Sequence, residues 1–259
     1  MTDPVLLARD GDIATVALNR GERLNAFNLA MWDALAGVMA AVNADAGLRC
    51  VVLRGAGEAP FGAGADIAEF ESVRADAAQA RAYARRVDAA MEAVAECPWP
   101  TLAMIRGACV GGGLELAVNC DLRICGAGAR FGIPINRIGH CLPLPAMRAL
   151  VELVGRSTAL EILLEGRVVT ADEAKDMGLV NRVVPDEELA AEAAAAAARI
   201  AAGAPLAARG HKRLARRALD PRPLDEADVM AAFEVCDSAD YREGVRAFLA
   251  KEKPVFKGE

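Results

Sequence analysis

Three consecutive glycines followed by an acid form the stretch of this sequence best suited to chemistry. Gly111-Gly112-Gly113 runs into an apolar helical pattern that carries Glu115. Glycines let the backbone approach a ligand closely, and the first N–H groups of a helix have no intrahelical acceptor. The stretch therefore combines free donors with a carboxylate. A close helix–sheet contact, with an acid placed favourably at the helix start, would explain the same residues.

A second small-residue turn, Ala63-Gly64-Ala65, precedes another helical pattern. Asp66 and Glu69 have the spacing of a capping box, which predicts a helix start at Asp66. Two such turns could direct two backbone N–H groups at one oxygen and form an oxyanion hole, which stabilises the charge that develops on a polarised carbonyl. Glu115, one helical turn beyond the glycines, could then carry a proton. On spacing alone, packing is the commoner role of glycine before a helix.

Composition restricts the classes of protein to which the chain can belong. The 259 residues are 54% apolar and suffice for one large α/β domain, while the net charge of −6 argues against a general nucleic-acid binder. We expect no membrane helix, because no apolar run reaches about 18 residues. The seven cysteines lack C-x-x-C spacing, and the N-terminus lacks a secretory pattern, so we expect a reduced, cytoplasmic protein.

Strand and helix patterns alternate along the chain, which favours a sheet covered by helices. A hairpin is predicted at its start, a helical capping box at Thr170–Glu173, an irregular segment over 126–140, and a helical appendage over the last ~60 residues. The predicted strands are Val5–Arg9, Ile13–Leu18, Cys50–Leu53, Thr101–Ile105, Asp121–Cys125 and Val180–Val184, and the longer predicted helices are Leu29–Asn43, Arg74–Ala95 and Pro143–Leu164.

Several common catalytic devices are missing from the sequence. It contains no G-x-G-x-x-G, no P-loop and no G-x-S-x-G elbow. The two histidines, His140 and His211, lie far apart, and the cysteines do not have ligand spacing, so we expect no metal site. The pair of glycine turns with Glu115 is what remains.

The motifs that contain these turns resemble the crotonase, or enoyl-CoA hydratase/isomerase, superfamily. The resemblance covers nearly the whole chain and extends to Gly155-Arg156-Ser157, Gly166-Arg167 and Arg242-Glu243-Gly244. The motifs that carry it are Leu24-Asn25-Ala26-Phe27-Asn28, Phe61-Gly62-Ala63-Gly64-Ala65-Asp66-Ile67, Gly111-Gly112-Gly113-Leu114-Glu115-Leu116-Ala117 and Phe131-Gly132-Ile133-Pro134.

The resemblance implies an α/β fold, a crotonase-like spiral of ββα units over residues 1–200, followed by a helical C-terminal trimerisation region over 201–259. It implies a homotrimer or dimer of trimers that binds an acyl-CoA thioester, with coenzyme A as part of the substrate and no further cofactor required. No nucleic acid or membrane partner is expected.

By position in the family, the N–H groups of Ala65 and Gly112 would hold the thioester oxygen. The remaining residues expected along the coenzyme A and substrate path are Arg23, Ala26, Ala63, Asp66, Ile67, Pro134, Ile135, Lys251 and Lys253. The two lysines could act on a neighbouring subunit's ligand. Simple surface solvation explains the basic residues equally well.

Glu115 matches the first of two glutamates that hydratases of this family use, but Ile135 occupies the place of the second. The segment 141–150 also departs from the usual glycine-rich pattern. His140 is a candidate replacement, because its unperturbed pKa is near neutrality. With Glu115 alone, a proton shift or a decarboxylation is simpler than hydration. The alternative to an active enzyme is a catalytically silent homologue that binds acyl-CoA.

Overall fold

The structure, a computed structural model, describes residues 3–259. Nine strands and ten α-helices are present in that range. The strands are β1 (Val5–Asp10), β2 (Ile13–Leu18), β3 (Cys50–Gly55), β4 (Thr101–Ile105), β5 (Ala108–Val110), β6 (Leu122–Gly126), β7 (Arg130–Gly132), β8 (Val169–Thr170) and β9 (Arg182–Val184). The helices are α1 (Leu29–Ala44), α2 (Phe70–Val73), α3 (Ala77–Ala95), α4 (Gly112–Val118), α5 (Leu144–Glu165), α6 (Ala171–Asp176), α7 (Leu189–Ala201), α8 (Pro205–Leu219), α9 (Glu226–Met230) and α10 (Ala239–Ala250).

The strands form two sheets. The larger has the order β1-β2-β3-β4-β6-β9, and the smaller has the order β5-β7-β8. The predicted hairpin is confirmed, because β1 and β2 pair antiparallel, while β2 through β9 in the larger sheet are parallel. Parallel strands need helical crossovers, which is why helices cover this sheet on both faces.

Side chains of β3 and β4 point alternately to the two faces of the larger sheet. Val51 and Leu53 belong to the main core with α1 and α3, whereas Cys50 and Val52 face the small alanines of α7. Period-2 alternation within a buried strand produces this division. The sheet is therefore a rigid layer, and the glycine turns follow the carboxyl ends of β3 and β5.

The two glycine turns lie against each other through their backbones. Gly62 and Cys109 form a parallel bridge, in which Gly62 N donates to Ala108 O at 2.8 Å and Val110 N donates to Gly62 O at 2.9 Å. A Cβ built on Gly62 would lie 3.2 Å from the Cα of Gly113, and one built on Gly113 would overlap the Gly62 carbonyl. Glycine is therefore needed at both positions for steric reasons.

Three predicted segments differ from the structure. The segment 126–140 is not irregular throughout, because it contains β7 and a 3₁₀ turn at Ile135–Ile138. The predicted helix 143–164 is interrupted at Gly155, which has a φ of 77° and a ψ of 161°. The predicted helix 74–95 begins only at Ala77, because the Asp76 side chain caps it by accepting from Gln79 N at 2.8 Å.

Capping was predicted correctly at one site and wrongly at another. Thr170 and Glu173 form the predicted reciprocal capping box. Asp66 caps a 3₁₀ turn by accepting from Ala68 N, but Glu69 does not complete the box. The Glu69 carboxylate instead accepts from Leu29 N at 2.9 Å, at the start of α1. A long-range partner has replaced the local one.

The C-terminal helices contact the core through buried polar links. Lys212 of α8 pairs with Asp121 at 2.7 Å, and Arg49, just before β3, donates to Phe256 O at 2.6 Å. A domain division at residue 200 stays a prediction.

Among residues 3–259 no single helix is long and apolar enough to cross a membrane. Taken together, α7 and α8 have the length and composition of a membrane span, but the chain bends by 102° between them.

Replacing Gly113 by alanine tests the backbone contact. Alanine favours helices, yet at this position its Cβ would overlap the Gly62 carbonyl, so we expect Gly113→Ala to lower the free energy of unfolding by about 2 kcal/mol or more. Gly37, within α1, is the matched control, because nothing lies within 4 Å of its Cβ position. There alanine should raise stability by roughly 0.5–1 kcal/mol. Urea denaturation measures both, and equal shifts would contradict the steric argument.

Candidate active site

A pocket of about 840 Å³ lies between the glycine turns, α3, the loop 134–143 and the start of α5. Its size is that of a small-molecule site. Apolar side chains such as Val87, Met91 and Leu142 form much of its wall. The sequence-predicted site residues that line it are Ala63, Ala65, Ile67, Gly112, Glu115, Pro134, Ile135 and His140.

Two backbone N–H groups in the pocket wall have no acceptor within residues 3–259. Phe27 N donates to Gly64 O at 2.7 Å, and Asp66 N donates to Phe27 O at 2.8 Å. These two hydrogen bonds form the parallel bridge of Ala65 with Phe27, and they leave the Ala65 N–H itself unused. Gly112 is the first residue of α4, where an N–H has no intrahelical partner. The donors predicted from the sequence are therefore both available.

The fold brings these donors to the same side of the pocket. Gly62 and Cys109 are bridged in parallel, and a Cβ built on Gly111 would lie 3.4 Å from the Cα of Gly64, so the residues that precede Ala65 and Gly112 are in contact. Gly111 adopts a φ of 52°, which aims the start of α4 into the pocket, and its N–H is held by Gly132 O at 2.8 Å. Behind the turn stands Trp32, whose ring would lie 3.1 Å from a Cβ on Gly112.

Glu115 extends from α4 into the pocket with its carboxyl in apolar surroundings. Burial raises the pKa of the Glu115 carboxyl to about 7, and the nearby Arg74 guanidinium lowers it less than burial raises it, while Asp88 raises it further. No ion pair to Glu115 forms within residues 3–259. A carboxyl with this pKa can both accept and donate a proton near neutrality.

Arg74 and His140 form a second polar group in the pocket. Arg74 Nη2 lies 2.7 Å from His140 Nε2, and its guanidinium lies over the rings of Phe70 (4.3 Å) and Tyr83 (5.1 Å). Burial and then the Arg74 charge lower the pKa of His140. A guanidinium can only donate, so the neutral imidazole accepts through Nε2 and carries its proton on Nδ1. The lone pair of His140 Nε2 is therefore already engaged by Arg74.

The structure places Ile135 in the pocket wall and an additional acid on α3. Asp88 lines the pocket, and burial followed by the charge of Glu92 raises its pKa. Sequence reasoning missed Arg74, Tyr83 and Asp88. The signal for Asp88 is an acid within the apolar stripe of Ala84, Val87 and Met91. Arg74 had no such signal, because it was predicted as the first residue of the helix 74–95.

Five predicted path residues lie outside the pocket lining. Asp66 pairs with Arg20 at 3.0 Å, and Ala26 O also accepts from Arg20. Arg23, Lys251 and Lys253 are exposed. The two lysines follow α10 and are not part of the pocket lining. Residues 3–259 also contain no group of three or more His, Cys, Asp or Glu side chains that could hold a metal.

Stability measured against pH tests the environment of Glu115. The pKa of Glu115 is about 7 in the folded state and 4.5 ordinarily, so folding favours the protonated carboxyl. The contribution of the protonated carboxyl to stability is full below pH 4.5 and is lost as the pH rises through 7. Glutamine resembles the protonated acid, so Glu115→Gln should be more stable than wild type at pH 8, by at most about 3 kcal/mol, with little difference at pH 4.5. Urea denaturation at both pH values measures this, with Glu71→Gln on exposed α2 as the control. A difference that does not vary with pH would contradict the raised pKa.

Comparison with known proteins identifies the family. The sequence model described as enoyl-CoA hydratase/isomerase matches residues 8–259. The chain is 35% identical to the putative enoyl-CoA hydratase/isomerase YngF of Bacillus subtilis, covering 100% of both chains, and 34% identical to the crotonyl-CoA hydratase of Syntrophomonas wolfei, covering 97% of both. A solved structure of an enoyl-CoA hydratase/carnithine racemase from Magnetospirillum magneticum superposes with a TM-score of 0.98 at 49% identity, over 100% of this chain and 97% of that one. The crotonase-like fold expected from the motifs is confirmed, and the chain belongs to the enoyl-CoA hydratase/isomerase family.

Proposed function

We propose that this enzyme moves a proton on an acyl-CoA by way of a thioester enolate. In this proposal the N–H groups of Ala65 and Gly112 hold the thioester oxygen, and Glu115 is the acid/base. The observation that carries this proposal is that two backbone N–H groups without acceptors line the same pocket as a carboxyl whose pKa is about 7. The acyl-CoA substrates named for the relatives support the choice of ligand.

The chemistry follows from the charge that develops on the thioester. When Glu115 removes a proton from the carbon chain, the electron pair moves into the C=C–O⁻ of the enolate, and the two N–H groups stabilise that oxygen. Glu115 then returns the proton to another carbon of the conjugated system, which moves the double bond. Ile135 offers no group to position water, and a proton shift needs only the one carboxyl of Glu115.

Isotope exchange with Glu115→Gln tests this role. We expect the variant to lose about 10²–10⁴-fold in the rate of deuterium uptake from D₂O into 3-enoyl-CoA and 2-enoyl-CoA, because glutamine cannot accept the proton. Binding of a saturated acyl-CoA should change little, since the oxyanion donors belong to the backbone. Mass spectrometry follows the exchange, and calorimetry follows the binding. Unchanged exchange would exclude Glu115 as the base.

The presence of Asp88 in the pocket favours one second candidate function, hydration. The Asp88 carboxyl comes from α3, whereas Ile135 lies on the loop after β7. Burial raises the pKa of Asp88. With Glu115, it would supply the two carboxyls that can hold a water molecule and deliver its proton to an enoyl-CoA. Hydration then uses an acid from α3 in place of one from the loop after β7.

Asp88→Asn separates the two candidates. If Asp88 helps to add water, the variant should lose about 10²-fold or more in hydration of 2-enoyl-CoA while proton exchange by Glu115 continues. If the enzyme only shifts protons, wild type should not hydrate 2-enoyl-CoA, and proton exchange should survive the substitution. Absorbance loss of the enoyl thioester reports hydration. Tight acyl-CoA binding without hydration or exchange in wild type would instead support a silent binding protein.

We also propose that the chain assembles as a homotrimer or dimer of trimers, needs no cofactor beyond the coenzyme A of its substrate, and works in the cytoplasm. Phe248 and Leu249 on α10 are 84% and 77% exposed, which supports burial of this face between subunits. Assembly would also let Lys251 or Lys253 reach a neighbouring subunit's ligand. The seven free cysteines agree with a reducing compartment.

A further inference from the structure

We propose that Arg74 binds a carboxylate on the acyl group, so that the substrates are carboxyacyl-CoA thioesters, the monothioesters of dicarboxylic acids. This inference rests on the proposed function of the pocket. Three observations carry it: the unpaired guanidinium, its fixed position, and its place at the Glu115 side of the pocket.

Arg74 is a partly buried cation without an anionic partner. Its guanidinium makes one side-chain hydrogen bond within residues 3–259, to the neutral His140, and no carboxylate lies within 4 Å of it. The partly buried Arg20 and Arg217, by contrast, pair with Asp66 and Asp228. Removing a cation from water without a counter-charge is unfavourable. The remaining N–H groups of Arg74 are free to receive an anion in the pocket that Arg74 lines.

The surroundings fix the guanidinium in place. Arg74 ends α2, and Gln79 and Asp76 side chains accept from the backbone just beyond it, so the α2–α3 junction is held on both sides. Phe70 and Tyr83 support the flat face of the guanidinium, and Trp32 Nε1 donates to Tyr83 Oη at 3.2 Å. His140 accepts from one edge. A planar fork held in this way suits a carboxylate, which it can bind with two parallel hydrogen bonds.

The location points to the acyl group and not to the phosphates of coenzyme A. The Arg74 guanidinium lies over the Tyr83 ring, Tyr83 Oη accepts from Trp32 Nε1, and the Trp32 ring lies against Gly112, so these contacts connect Arg74 to the turn that would hold the thioester. Arg74 and Glu115 line the same pocket, and the Arg74 charge lowers the pKa of Glu115. The glycine turns, which would hold the thioester, lie beside Glu115 on the adjacent wall. A chain extending past Glu115 from the thioester therefore reaches Arg74 with its far end. A carboxylate at that end would complete the missing ion pair.

Binding of saturated thioesters tests the inference without requiring turnover. Calorimetry compares succinyl-, glutaryl- and adipyl-CoA with butanoyl-, pentanoyl- and hexanoyl-CoA, and includes free coenzyme A. We expect at least one carboxyacyl-CoA to bind wild type about 10–100-fold tighter than its uncharged counterpart, the range for a hydrogen bond to a charged group. Arg74→Gln should remove this preference while leaving the affinities for free coenzyme A and for the alkanoyl thioesters unchanged. Arg85→Gln, on the exposed face of α3, removes the same charge outside the pocket lining and should retain the preference.

The outcomes separate this inference from the function on which it rests. Alkanoyl-CoA binding without any carboxylate preference in wild type overturns the inference and leaves the proposed function standing, and this comparison holds even if Arg74→Gln does not fold. An equal loss of affinity for free coenzyme A in Arg74→Gln also overturns it, because Arg74 would then bind phosphate. Failure of wild type to bind any thioester overturns the proposed function as well.

Discussion

The backbone contact between Gly62 and Gly113 is the constraint on which the pocket depends. It joins the segment after β3 to the start of α4, and the hydrogen bonds of Gly62 with Ala108 and Val110 fix the register between them. A side chain at either glycine would separate the two turns. Because the contact involves main-chain atoms, it brings together through the backbone the two turns that carry the N–H groups of Ala65 and Gly112.

The burial of Glu115 and its separation from Arg74 together set the pKa of the carboxyl beside these donors. Burial raises the pKa of Glu115, whereas a direct ion pair with Arg74 would depress it and leave a carboxylate that holds no proton near neutrality. Arg74 is instead engaged by His140 and by two aromatic rings, which keep its charge in the pocket and out of contact with Glu115. Arg74 can therefore face an anion while Glu115 keeps a pKa suited to proton transfer.

Local signals predicted the fold well and the site only in part. The hairpin, the capping box at Thr170 and the glycine turns follow from neighbouring residues, and the motif resemblance supplied the overall fold. Glu69 was misassigned because its partner, Leu29 N, is distant in sequence. Arg74 was missed because it was predicted to begin the helix 74–95, whereas it follows α2 and Asp76 caps the separate helix α3. Gly155 could not be recognised as a break, since nothing nearby in sequence requires its positive φ.

The two halves of the pocket are specified in different ways, and this bears on which reaction occurs. The two backbone donors, which we propose hold the thioester oxygen, depend on backbone geometry, and sequence patterns identify them through their glycines. In the proposed functions, the groups that act on the rest of the acyl chain are the side chains of Glu115 on α4, Asp88 on α3 and Arg74 between α2 and α3. Ile135 lies on the loop after β7 and offers no polar group. Exchanging a side chain in this second half alters proton delivery or anion binding without disturbing the first. On the proposed function, the departure at Ile135 therefore leaves thioester polarisation intact, and the choice of reaction depends on Glu115, Asp88 and Arg74.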